Sequence, residues 1–140
     1  MNLEKGRFGK LTLPITVEMF KQTYPCFSKD ETNNLKAFCG GGLYYDNLRM
    51  VYFPQSKYIQ ISEGFKGKVV PAVLGLSEKQ VGNLLGTPKR KEKVQTLVGE
   101  VQTHWYFKKR YGCYSLVFEK DKVVKINIHF TDVENSQICD

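Results

Sequence analysis

Two periodicities organise the chain. Over residues 123–130, Val124, Ile126, Ile128 and Phe130 alternate with Val123, Lys125, Asn127 and His129. A period of two sends the sets to opposite faces of a β-strand, and we expect the first set to meet the helices. Residues 100–109, "EVQTHWYFKK", alternate in the same way. Trp105 and Phe107 share one face with Val101 and Thr103, and His104, Tyr106 and Lys108 share the other. Residues 74–88, "LGLSEKQVGNLLGTP", change period. Ser77 is an N-cap with Gln80 three residues on, which makes a capping box. Val81, Leu84 and Leu85 form an apolar stripe, and Gly86 and Pro88 stop a helix before the basic loop "PKRKEK".

The same order of signals occurs earlier, more weakly. In residues 13–27, "LPITVEMFKQTYPCF", Thr16 caps, Met19 and Phe20 form the stripe and Pro25 ends it. Thr16 maps onto Ser77 and Phe20 onto Val81 at a spacing of 61. Residues 51–65 align without gaps on residues 116–130 at a spacing of 65, matching Phe53 with Phe118, Lys57 with Lys122 and Ile61 with Ile126. Each aligned segment is strand, polar turn ("PQSK", "EKDK") and strand, a β-hairpin. The expected fold class is α+β, with two tandem helix-plus-antiparallel-sheet modules whose helices pack on one face of the sheet. The first, degenerate module spans 1–66, the bridge 67–75 and the second module 76–140. Residues 28–47 mix turn and strand signals, with "GGLYYDN" the better candidate for a further strand.

Helices on one face leave the other face open. Alternation puts Ile59 and Ile61 inward and Tyr58, Gln60 and Ser62 outward. Taking Phe53 as inward places Met50 and Tyr52 outward. The predicted partner-binding surface is therefore Tyr52, Tyr58, Gln60, His104, Tyr106, Lys108, Tyr114, Lys125, Asn127 and His129. Tyrosine combines large contact area, a polar tip and few rotors, so Tyr52, Tyr58, Tyr106 and Tyr114 are the expected anchors. Lys108 and Lys125 would steer an acidic partner. The competing reading is a solvated sheet stiffened by cross-strand tyrosine pairs.

Charge sharpens the partner class. With 21 Lys and Arg against 14 Asp and Glu, the net charge of +7 favours an acidic protein surface or a nucleic acid. The runs "PKRKEK" and "KKR" keep a single-stranded nucleic-acid module as an alternative, although no recognised nucleic-acid motif accompanies them. The chemistry-bearing residues are sparse. Cys26, Cys39, Cys113 and Cys139 form no CxxC pair and there are two histidines, so neither a metal nor a cofactor is expected. Free thiols are the default for a reducing compartment. No Ser or Cys sits in an elbow context, acids lie mostly in turns, and "CGGG" lacks phosphate-loop spacing, so the chain reads as a non-enzyme. No apolar run reaches the roughly 20 residues of a membrane-spanning helix. Residues 1–10 contain no apolar leader core, which points to the cytoplasm as given, or to the periplasm if a leader was removed.

"LGLSEKQVGNLLGTP", "HWYF" and "YSLVFEKDKVVKINI" together resemble the SmpA/OmlA small outer-membrane lipoprotein family and the tandem-module fold of the beta-lactamase-inhibitor protein. Gly75, Ser77, Val81, Leu85, Gly86, Pro88, Trp105, Phe107, Leu116, Phe118 and Val123 occupy the shared pattern, over about residues 74–130 with an echo over 13–65. The resemblance implies a non-enzymatic binder that lays a sheet face and adjoining loops on a protein partner. An inhibitor or a bacterial immunity protein that neutralises a cognate toxin fits that description. An envelope scaffold of the lipoprotein type is the alternative within the same resemblance.

Overall fold

Both helices start where a side chain caps them. Thr16 Oγ1 accepts from the Met19 amide at 3.1 Å and opens α1, Val17–Thr23. Ser77 Oγ accepts from the Gln80 amide at 3.2 Å while Gln80 Oε1 accepts from the Ser77 amide at 2.9 Å, opening α2, Glu78–Leu85. Two satisfied amide donors explain why α2 forms from a sequence of only moderate propensity. It ends at Gly86, whose φ of +82° suits a residue without a Cβ. The computed structural model describes residues 1–11 and 15–139; Leu13 and Pro14, at the start of the weaker helical stretch, lie outside them.

The strands are β1 (Lys29–Asp30), β2 (Leu43–Tyr45), β3 (Met50–Phe53), β4 (Tyr58–Ser62), β5 (Arg90–Gln95), β6 (Val101–Lys109), β7 (Gly112–Glu119) and β8 (Lys122–His129). They form one eight-stranded antiparallel sheet in the order β1-β2-β3-β4-β8-β7-β6-β5. The fold is therefore α+β. Each helix precedes a four-stranded meander, and the two meanders join through their last strands, β4 and β8. The stretch "GGLYYDN" does supply β2, whereas the expected basic loop is the edge strand β5.

One apolar cluster lies between the sheet and its helical cover. Phe20 of α1 stacks on Tyr52 with ring centroids 4.9 Å apart, and Val81 of α2 enters the same cluster. Leu3, Phe8 and Leu11 from the N-terminal segment and Val73 from the bridge complete the cover. Ile59, Ile61, Trp105, Phe107, Leu116, Ile126 and Ile128 face it from the sheet, as alternation predicts, but Val101 is exposed.

Several face assignments are reversed. Met50 and Tyr52 point to the helices, and Phe53 points away from them against Tyr58, at 5.0 Å. The hairpin register is the cause: Met50 lies opposite Ile61 and Tyr52 opposite Ile59, and directly paired residues share a face. The second hairpin differs by a β-bulge: Val117 pairs with Lys125 but Phe118 pairs with Val123, so Val124 has no partner on β7. The extra residue flips the phase of β8, so Val123 joins Phe118 in the helix-side cluster in the place expected of Val124. Phe53 and Tyr58 occupy the aligned pair in the first hairpin, which has no bulge there and keeps them on the opposite face. Alignment by sequence thus matched residues whose side chains point in opposite directions.

The second face of the sheet is largely covered as well. After β8 the chain turns back through a 3-10 turn, Val133–Asn135, and Val133 packs on Tyr106 and Cys113. Ser136 fastens this tail: its Oγ accepts from Cys113 Sγ at 3.2 Å, and its carbonyl accepts from Arg90 Nη2 at 2.8 Å. The Cys139 amide donates to the Tyr58 hydroxyl at 3.2 Å, and Cys139 is disulfide-bonded to Cys39. Free thiols are the default only of a reducing compartment; in the structure Cys26 and Cys113 are free, and Cys39 and Cys139 are joined across a separation of 100 residues. A cross-link of that span removes much unfolded-state entropy. Replacing both cysteines, Cys39→Ser with Cys139→Ser, should lower unfolding free energy by about 2–4 kcal/mol in urea titrations.

Candidate functional site

The ten predicted surface residues divide sharply. Tyr58, His104, Tyr106, Asn127 and His129 lie on the face opposite the helices, as predicted, but are buried there. Tyr52 and Tyr114 are buried on the helix face, where Tyr114 stacks on Phe107 at 4.9 Å. None of the four tyrosines is an exposed anchor. The premise that failed was that a face without helices is a face in contact with solvent. Gln60 and Lys125 remain partly accessible, and Lys108 is exposed.

Burial of polar side chains on this face demands partners, and the strand register supplies them. Gln60 lies opposite Asn127, which lies opposite Ser115. Gln60 Nε2 donates to Asn127 Oδ1 at 2.9 Å, and Asn127 Nδ2 donates to Ser115 Oγ at 3.1 Å. Ser115 Oγ is 2.8 Å from His129 Nε2. The His129 ring lies against Tyr58 and Tyr106, at 5.2 and 5.8 Å between centroids. Burial, with smaller contributions from Arg90 and His104, holds His129 down at about 3, so it is neutral at pH 7. Sequence reasoning missed this Ser–His contact, although the outward parity of both residues on paired strands was available to find it. Both residues are fully buried, and His129 Nδ1 has no hydrogen-bond partner among the described residues. The contact serves to satisfy polar groups inside the sheet's cover.

A cleft of about 330 Å³ remains open beside this row. Gln60 of β4, Lys125 of β8, Gln102 of β6 and Glu119 of β7 contribute polar groups, with Gln102 Nε2 donating to Glu119 Oε1 at 2.6 Å. The Cys39–Cys139 bond fixes one side, where Cys139 and Phe38 line the cleft. Leu97 and Val98, in the turn between β5 and β6, line the other. These apolar side chains are 52% (Phe38), 96% (Leu97) and 82% (Val98) exposed. Isolated apolar residues on a surface are ordinary, but three around one polar-lined cleft make it the candidate site. The sequence signal was an apolar pair inside a turn, "TLVGE". Among the described residues, no three His, Cys, Asp or Glu side chains converge in a way that could hold a metal ion.

Two measurements probe the polar row. Asn127→Ala removes two hydrogen bonds from a fully buried position in the row, and should cost about 1–3 kcal/mol in urea unfolding. His129 titrates at about 3 in the fold against 6.5 when unperturbed. The unfolded chain therefore binds the extra proton between those values. The contribution is complete above pH 6.5 and declines as pH falls towards 3, by at most about 1.4 kcal/mol per pH unit. Urea midpoints should fall with acid more steeply in the wild type than in His129→Phe, and parallel curves would contradict the assignment.

Comparison with family models, curated proteins and solved structures finds no match to this chain.

Proposed function

We propose that this chain is a non-enzymatic protein-binding inhibitor, acting as an immunity protein that neutralises a cognate bacterial toxin. The observation that carries the reading is the cleft: Phe38, Leu97 and Val98 stand exposed around Gln60 and Lys125. A few apolar anchors around a polar centre supply affinity out of proportion to their area. They take the role first expected of the tyrosines. The net charge of +7 supports a partner with an acidic surface. Helix-then-meander order in both halves supports the tandem-module reading.

The Cys39–Cys139 bond supports action in an oxidising compartment such as the periplasm, in preference to the cytoplasm. It also favours a second reading, an envelope scaffold of the lipoprotein type. A nucleic-acid module has less support, because Trp105 and Tyr106 beside the basic strand are buried and offer no stacking platform.

The test is photo-cross-linking in the source cells, with p-benzoylphenylalanine placed at Leu97 or Phe38 and at exposed Lys79 as a control. Positions 97 and 38 should yield the same discrete protein adduct, and the purified chain should inhibit that protein's activity at equimolar amounts. An adduct that is a structural envelope component would select the scaffold reading. No adduct, or the same pattern from position 79, would contradict both.

A further inference from the structure

We infer that the free edge of β5 takes up an extended acidic segment of a partner protein as a ninth strand. This deepens the protein-binding reading and rests on it. β5 is the terminal strand of the sheet, six residues long and, among the described residues, paired only with β6. Its other edge offers a row of backbone donors and acceptors, the template to which an extended peptide adds by β-augmentation. The β1 edge is only two residues long, so β5 is the edge with useful reach.

The side chains of β5 define what fits. Arg90 and Glu92 are engaged within the molecule. The Arg90 guanidinium lies 3.8 Å from the Tyr106 ring and donates to the Ser136 carbonyl, and Glu92 accepts from the Tyr106 hydroxyl at 3.2 Å. Lys89, Lys91 and Lys93 are exposed, and among the described residues none has a carboxylate within ion-pair distance. Lys91 and Lys93 share a face of the strand, opposite Trp105 and Thr103 respectively. On the other face Val94 lies opposite Gln102, which lines the cleft. The complementary strand alternates carboxylates, facing Lys91 and Lys93, with apolar residues on the cleft side.

The same charges exclude competitors. Lysines on an edge discourage pairing with neutral or basic strands, and two copies of β5 would set lysine against lysine. Nucleic acid would meet the charge but not the backbone edge, and the neighbouring rings are covered by Lys91 and Arg90. An acidic strand satisfies both the backbone and the cations.

The probe is a blocked hexapeptide alternating Glu and Val, matched to the six residues of β5, titrated into the full chain. Binding should saturate, weaken with salt and slow exchange of β5 amides. Lys93→Glu and the double variant Lys91→Glu with Lys93→Glu should each weaken it about tenfold or more. Lys93→Glu alone leaves the Lys91–Trp105 contact in place and guards against a folding artefact. A peptide of the same charge, N-methylated at alternate residues, should lose about as much, because it cannot complete the ladder. Equal binding of the methylated peptide, tighter binding of a single-stranded oligothymidylate, or no saturable binding would overturn the inference. Because the probe is synthetic, those failures leave the cross-linking test of the cleft standing, and the converse also holds.

Discussion

The antiparallel seam between β4 and β8 is the constraint on which the structure depends. On one side of it Ile59 lies opposite Ile128 and Ile61 opposite Ile126, all fully buried under the helices. On the other side Tyr58 lies opposite His129 and Gln60 opposite Asn127. A single register thus sets an aliphatic core on one face and a hydrogen-bonded polar row on the other. A slip by one residue would exchange the two sets and leave amides in the apolar cluster, so the register is strongly specified. The cleft exists only because the seam holds, since Phe38 and Gln60 come from the first half and Leu97, Val98 and Lys125 from the second.

Covering both faces of a small sheet has a physical cost that the tail meets locally. Tyr58, Tyr106, Cys113 and His129 form a second buried layer without a helix. The segment that covers them is short and is held by Ser136 and the Cys39–Cys139 bond. What stays open is the margin that the tail does not reach. The candidate site is therefore the gap between a disulfide-fixed edge and a hairpin turn, both positioned by the sheet.

Much of the fold was legible because its signals are local. Ser77, Gln80 and Gly86 specify α2 through caps, and period-two alternation gives the faces of β6 and of most of β8. Three features were not legible. The bulge at Val124 is a one-residue irregularity that inverts phase and puts Val123, not Val124, on the helix face. The tail over Tyr58 and His129 is a long-range contact with no periodicity. The union of both meanders in one sheet depends on β4 meeting β8, and no spacing announces it. Gln60 and Lys125 belong to the cleft; the other predicted side chains except Lys108 are buried, because alternation tells which side a residue faces and not what covers that side.

Native-state amide exchange of β4 and β8 tests the seam most directly. If one sheet unites the halves, amides of Ile59, Ile61, Ile126 and Ile128 exchange only through global unfolding and share one opening free energy. If β1 to β4 open as a unit while β5 to β8 stay protected, the halves are independent, and a cleft built across them has no basis.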